Sequence, residues 1–284
     1  MAINDVRLFG QLTQKPTYFV RKGASAPHKV MLTVKTLSRY YNSQDRDRIM
    51  FDEVVVMTQS PDMIQYIHSN LKENDVIYIK GMLCTAEVKR NFICGGCEAP
   101  FQENGVSCYV HPINIYLCQS NLSDKEGNKL IQQNAEVSDE VIMDGVICTD
   151  VRYMPEKRYA YYKLAVKRSY HILEDPPERR IDFPVINSYF EQAETDSKCL
   201  HKGSRINVKG AIRVRSITRK VQCPFCGTDA EAQYKVLEVV ASNISYTANW
   251  EAPESEGATT LEIEQNVDNI ETMQEQEVQQ ETEE

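Results

Sequence analysis

The chain has 284 residues, 42% of them hydrophobic, and 41 acidic against 32 basic side chains give a net charge of −9. That length suffices for two modest cores, and no apolar run approaches the ~18 residues of a membrane span, which excludes a helical membrane protein. Nine cysteines follow a start, Met1 to Asp5, with neither a basic nor an apolar leader region, so thiols or metal ligands in a reducing cytoplasm are expected rather than secretion and disulfides.

In chain order, Asp5–Leu12 alternates apolar and polar residues and predicts a first strand, with a bend at Gly10. Val30–Lys35 and Phe51–Met57 are β-branched-rich strands joined by a polar stretch, Ser38–Arg48. Ser60–Leu71 opens Ser-Pro-Asp and places Met63, Ile64, Ile67 and Leu71 at helical spacing, so a capped helix is expected. Val76–Lys89 and Ser107–Leu117 are the fourth and fifth strands, with Cys94 and Cys97 in the connection between them. Strand, strand, strand, helix, strand, strand is the order of an OB-fold barrel.

The chain then repeats itself. Ile79-Lys80-Gly81 and Cys94-x-x-Cys97 return 129 residues later as Val208-Lys209-Gly210 and Cys223-x-x-Cys226, and Asn114-Ile115 as Asn243-Ile244. Val6, Leu8, Gly10 and Leu12 match Val141, Met143, Gly145 and Ile147 at offset 135. Leu32, Val34, Lys35, Ile49 and Phe51 are matched to Leu164, Val166, Lys167, Ile181 and Phe183 at offset 132. A shorter helix is expected near Tyr189–Thr195. The fold expected is all-β-dominated: two tandem OB-fold barrels at 1–118 and 139–248, a polar linker at 119–138 and a disordered acidic tail at 249–284. From Glu251 to Glu284 there are twelve acidic residues and no Lys or Arg, which leaves 32 basic against 29 acidic in the body. A mildly basic body with an anionic arm suits a polyanion ligand with which the tail competes.

Several segments resemble the bacterial single-stranded DNA-binding protein family: Asn4–Thr13, Phe51–Val56, Leu71–Gly81 and, in the second copy, Val239–Ile244. The resemblance implies sequence-independent binding and protection of single-stranded DNA in replication and recombination, with an acidic tail that recruits partner proteins. It also implies a monomer, or a homodimer supplying the four folds of the family's tetramer. The family's tail usually ends in a short hydrophobic tip, whereas this chain ends Gln280-Glu281-Thr282-Glu283-Glu284, and the family usually lacks cysteine pairs. Both departures fit a phage or mobile-element variant.

Single-strand binding needs cations along the phosphates and rings on which bases stack, each stack contributing about 1–3 kcal/mol. Candidates in the first copy are Lys35, Arg39, Tyr40, Tyr41, Arg46, Arg48, Lys80, Lys89 and Arg90. Those in the second are Arg152, Tyr153, Arg158, Tyr159, Lys167, Arg168, Tyr170, Arg179, Arg180, Lys209, Arg213 and Arg215. Phe51, Phe183 and Tyr78, on alternating strands, are assigned to core packing. Two OB folds at ~4–16 nucleotides each would cover about 8–32 nucleotides.

Each Cys-x-x-Cys has the form of a zinc knuckle giving two thiolates, and a closed zinc site takes four. One arrangement shares a structural zinc among Cys94, Cys97, Cys223 and Cys226; another completes the first knuckle with Cys108 and His111. The shared site uses only what both copies keep, because offset 129 puts Leu237 and Val240 opposite Cys108 and His111. Reduced thiols that bind nothing are the third reading. No phosphate-cradling glycine loop, nucleophile elbow or deaminase signature is present, so no enzyme is expected. A protein-interaction scaffold with a DNA-mimicking tail and an OB-fold nuclease are the alternatives.

Overall fold

The structure is a computed structural model that describes residues 3–38, 49–173, 175 and 180–251. Arg39, Tyr40, Tyr41, Arg46, Arg48, Arg179 and the acidic tail beyond Glu251 lie outside the described residues.

The first copy runs β1 (Asn4–Leu12), β2 (Thr17–Val20), β3 (Pro27–Leu37), β4 (Phe51–Thr58), α1 (Pro61–Asn70), β5 (Val76–Ile93) and β6 (Pro100–Gln119). Antiparallel pairing joins β3 to β1 and β4, and β5 to β1 and β6, while a parallel contact at Val56–Val110 closes β4 on β6. This is a closed five-stranded OB barrel, with β2 an added ribbon on β3. The second copy runs β7 (Asp139–Ile147), β8 (Arg152–Met154), β9 (Tyr159–Lys167), β10 (Ile181–Asp182), β11 (Val185–Tyr189), α4 (Phe190–Cys199), β12 (Arg205–Gln222) and β13 (Asp229–Ala248). It closes identically: β7 on β9 and β12, β9 on β11, β12 on β13, and β11 parallel to β13 at Ile186–Val239.

Alternation drives both closures. Val6, Leu8, Leu32, Val34, Val54, Val56, Ile77 and Ile79 are buried in the first barrel, and Val141, Met143, Leu164, Val166, Ile206 and Val208 in the second. The helix expected over Ser60–Leu71 forms with Pro61 in its first turn and buries Ile64 and Ile67, but the Ser60 side chain makes no cap hydrogen bond. The second helix has ten residues, the same length as α1, and not the shorter form expected.

The register revises the internal alignment. Gln11 pairs with Lys35 and Leu12 with Val34 in the first barrel; Val146 pairs with Ala165 and Ile147 with Leu164 in the second. Lys35 thus corresponds to Ala165, and Val56 to Ile186 through the parallel contacts, an offset of 130 rather than 132. A slip of two residues preserves which side chains face inward, so hydrophobic pattern alone does not distinguish the two alignments. The glycines agree with 130. A Cβ at Gly10 would lie 2.3 Å from the Lys35 carbonyl oxygen, and one at Gly145 would lie 2.6 Å from that of Ala165.

Between the barrels, residues 119–138 include two helices, α2 (Asp124–Gln133) and α3 (Ala135–Ser138). A capping box starts α2: the Ser123 hydroxyl accepts from the Glu126 N–H, and the Glu126 carboxylate accepts from the Ser123 N–H.

β1 and β7 pair antiparallel, merging both barrels into one sheet. Val6 lies opposite Val141, its own counterpart, so a pseudo-two-fold axis passes through that pair. It relates Asn4, which exchanges two 2.9 Å hydrogen bonds with the Leu83 backbone, to Asp139, which accepts from the Ile212 N–H at 3.0 Å.

Candidate nucleic-acid interface and metal centre

The hairpins β5–β6 and β12–β13 run past their barrels as two-stranded arms. Both carry a bulge at the same place, between Lys80 and Gly81 and between Lys209 and Gly210. There the strands approach so closely that a Cβ at Gly210 would sit 2.2 Å from the Val240 carbonyl oxygen. The arms touch each other. The Arg90 guanidinium lies 3.9 Å from the Tyr234 ring centroid and donates to its hydroxyl at 3.0 Å, while Arg219 pairs with Glu103 at 2.8 Å.

At the tips the two knuckles have matching backbones. Glu98 N–H donates to the Cys94 carbonyl at 2.9 Å, and Gly227 N–H to the Cys223 carbonyl at 2.9 Å. Both turns need a left-handed residue, Glu98 at φ 57° and Gly227 at φ 74°. The turns bring Cys94, Cys97, Cys223 and Cys226 together, all ligand atoms within 4.8 Å of one another. The Cys94–Cys226 and Cys97–Cys223 sulfurs are 3.4 and 3.7 Å apart. Zinc–sulfur bonds of about 2.3 Å set tetrahedrally require sulfurs about 3.8 Å apart, so the cluster fits that ion. Hydrogen bonds from the Thr228 hydroxyl and N–H bring the Cys226 thiol down to about 6. Although the Ala99 N–H favours the Cys97 thiolate, the neighbouring sulfurs hold that group up to about 12. Cys108 and His111 are outside this cluster, against the local four-ligand arrangement; burial raises the Cys108 thiol to about 12 and lowers His111 to about 4.

Beneath the arms lies a cleft of about 1500 Å³, floored by the second barrel and walled by both arms. Seven cations line it (Arg90, Lys157, Lys163, Arg180, Arg213, Arg215 and Arg219) against two carboxylates, Glu87 and Glu238. Five rings line it as well: Tyr159, Tyr161, Phe183, Tyr189 and Tyr234. Tyr161, Tyr159 and Tyr189 form a continuous ladder with centroid spacings of 5.7 and 5.1 Å, extended to Phe190 at 6.4 Å. Burial, followed by the charge of Glu238, raises the Tyr159 phenol, and burial raises Tyr189, so these rings stay neutral. Arg152 lies over Tyr161 at 6.0 Å and Arg158 over Phe190 at 5.8 Å. Cations beside neutral ring faces suit a flexible polyanion carrying flat bases.

Of the residues expected from sequence, Arg90, Tyr159, Arg180, Arg213 and Arg215 line this cleft, with Arg152 and Arg158 stacked beside it. Two expectations are corrected. Arg168 is buried, its guanidinium held by Asp182 at 2.7 and 3.1 Å and by Asp175 at 2.6 Å, so phosphates cannot reach it. Lys35 is buried and ion-paired to Asp124 on α2. Tyr153, Lys167, Tyr170 and Lys89 lie outside the cleft, as do Lys80 and Lys209 on strands β5 and β12, where Lys209 pairs with Glu140 at 3.1 Å. Phe183, assigned to the core, is 45% exposed and lines the cleft. Lining residues that sequence reasoning missed include Lys163, Tyr189, Arg219 and Tyr234; of these Lys163 did carry a signal, since Tyr159, Tyr161 and Lys163 alternate along β9, on the face opposite buried Tyr162.

Residues 139–247 match the model described as the single-strand binding protein family. The second barrel is a domain of that family. Among solved structures, the chain is similar to the wild-type single-stranded DNA binding protein from Thermus aquaticus, with a TM-score of 0.54 and 17% identity over 90% of this chain and 97% of that one. A deletion mutant of the Thermus aquaticus protein gives 0.52 and 18%, covering 90% and 98%. A small single-stranded DNA-binding protein from Streptomyces coelicolor is 18% identical over 38% of this chain and 93% of that one, with a TM-score of 0.28. No curated protein matches the sequence. At these identities the Thermus aquaticus likeness is one of fold, and it extends over both barrels.

Proposed function

We propose that this protein binds single-stranded DNA without reading its sequence and without altering it chemically. The observation that carries the reading is the cleft under the arms, where seven cations stand against two carboxylates beside a ladder of neutral rings. Rings meet bases through their faces, and every base has one, so sequence preference is weak. The match of the second barrel to the single-strand binding family and the fold shared with the Thermus aquaticus protein support the same reading.

The four tip sulfurs hold one structural zinc, which locks the arms that wall the cleft. A cytoplasmic setting, reducing enough to keep the thiols metal-bound, goes with this site; no helix among the described residues is long and apolar enough to cross a membrane. The two OB units are 1–118 and 139–248, and a homodimer would bring four of them together. The anionic segment after Glu251 recruits replication or recombination proteins and screens the cleft when DNA is absent.

The test is titration of the full chain, and of a chain ending at Glu251, with oligo(dT) at two salt concentrations, read by tyrosine and Trp250 emission. Saturable quenching is expected, with log K falling against log salt by roughly 0.7 per phosphate neutralised. The truncated chain is expected to bind at least as tightly while failing to retain partner proteins. A flat trace, metal-dependent cutting of the oligonucleotide, or much weaker binding after truncation would overturn the reading.

A further inference from the structure

The pseudo-two-fold axis gives the large cleft a counterpart on the first barrel, and the two are unlike. The counterpart measures about 250 Å³. Its lining residues Phe51, Glu53, Arg215 and Lys235 correspond to Ile181, Phe183, Ala86 and Val106 of the large cleft, by the offsets of 130 and 129 that the strand register establishes.

The difference is chemical as well as dimensional. Of the residues lining the small cleft, Lys235 and Glu53 form an exposed ion pair at 2.6 Å that joins the second arm to the first barrel. The large cleft has Val106 and Phe183 at those positions, which carry no charge and form no ion pair. On the barrel floors, Tyr159, Tyr161 and Lys163 correspond to Lys29, Met31 and Thr33. Tyr189 corresponds to Gln59. Among the described residues the ring ladder therefore belongs to the second barrel. It ends where Arg158 at φ 45° and Phe190 at φ 56° are tied by a 2.7 Å hydrogen bond from the Phe190 N–H to the Arg158 carbonyl. Left-handed geometry at two bulky side chains is strained, and here it holds a ring and a cation at the end of the ladder.

Resting on the single-strand reading above, we propose that the chain has one composite binding site and not two equivalent ones. The second barrel supplies the stacking floor. Among the described residues the first barrel's own cleft is the smaller one and is spanned by the Lys235–Glu53 pair, and that barrel contributes its arm, with Arg90, as one wall of its neighbour's cleft. Duplication then serves to build two walls around one strand, and each chain occupies the length typical of a single OB fold, about 4–16 nucleotides.

Matched substitutions across the pseudo-axis test this in the full chain: Tyr161→Ala against Met31→Ala, and Lys163→Glu against Thr33→Glu. Binding of oligo(dT) of increasing length is read by fluorescence anisotropy, with thermal melts confirming that each variant folds. Tyr161→Ala is expected to weaken binding by roughly 5- to 150-fold, the loss of one stack. Lys163→Glu also weakens binding and flattens its salt dependence. Met31→Ala and Thr33→Glu leave affinity unchanged, and affinity stops rising within about 16 nucleotides. Equal losses on both sides of the axis, or a second rise in affinity at greater length, would overturn the proposal. If the parent protein bound no oligonucleotide at all, the single-strand reading itself would fall, a separate result. Lys163→Glu is exposed and keeps the test valid should Tyr161→Ala prove unstable.

Discussion

His111 occupies the position that Val240 holds in the second barrel, opposite Met82 on β5, and it pays for that place in protonation. Burial first, and then the Arg168 guanidinium, push it from its ordinary value near 6.5 down to about 4, outweighing Asp175 and Asp182, which pull the other way. Because the folded value lies below the unfolded one, the neutral ring is favoured by folding. Its contribution is complete above about pH 6.5 and is lost as pH falls toward 4, by at most about 1.4 kcal/mol per pH unit. His111→Val installs the second barrel's own residue and removes the titration. Urea unfolding of parent and variant between about pH 7.5 and pH 5 is expected to show the parent losing stability faster on acidification. Parallel pH profiles would show that His111 ionises as freely in the folded chain as in the unfolded one.

The arms are the elements on which both the cleft and the four-cysteine cluster depend. A two-stranded ribbon is marginal in water by itself. These two are joined by the Arg90–Tyr234 and Arg219–Glu103 contacts, and near the knuckles Phe92 and Ala230 are buried. Four thiolates on one ion would complete the join, under the zinc reading proposed above. The purified protein is expected to carry about one zinc per chain. Chelation is expected to raise amide exchange in 86–106 and 215–236 while β1 and β7 stay protected. Unchanged exchange in the arms, or protein free of zinc after purification with zinc and reductant, would remove the metal from the account. Both knuckles were legible in the sequence because four cysteines at one fixed offset leave few alternatives. The helix α2 was not, although Ser123 and Glu126 spelled its capping box. Its polar composition and Gly127 concealed it. That glycine packs against a residue outside the helix: a Cβ there would lie 2.2 Å from the Gln11 side-chain oxygen, so the end of Gln11 would have to move. The offset of 132 failed for the opposite reason: β9 reads equally well at 130 and 132, and only hydrogen-bond register decides. Arg168 and Lys35 looked like phosphate ligands because residue type does not reveal a partner 7 or 89 residues away, Asp175 and Asp124 respectively.

At the scale of the molecule, the barrels are joined through groups that each would leave unpaired without the other. The buried Ser138 hydroxyl, at the entrance to β7, donates to the Phe9 carbonyl and accepts from the Leu37 N–H, both at 2.9 Å. Asp182 of the second barrel accepts from the Thr85 N–H at 2.7 Å, and Asp52 of the first accepts from the Val214 N–H at 3.0 Å, a pair related by the pseudo-axis. Ser169 bridges the Asn4 N–H and carbonyl at 2.9 and 3.1 Å. Orphaning a buried donor or acceptor costs about 1–3 kcal/mol, and separation of the barrels would orphan several at once while exposing Val6 and Val141. A partly unfolded chain with one intact barrel is therefore strongly disfavoured, even though each barrel closes its own sheet. Scanning calorimetry of the metal-bound chain is expected to give one transition, with calorimetric and van't Hoff enthalpies in agreement. Two resolved transitions would mean that the β1–β7 junction is an interface between independent domains. One transition means that the wall contributed by the first barrel and the floor contributed by the second are held in a fixed relation for as long as the protein is folded.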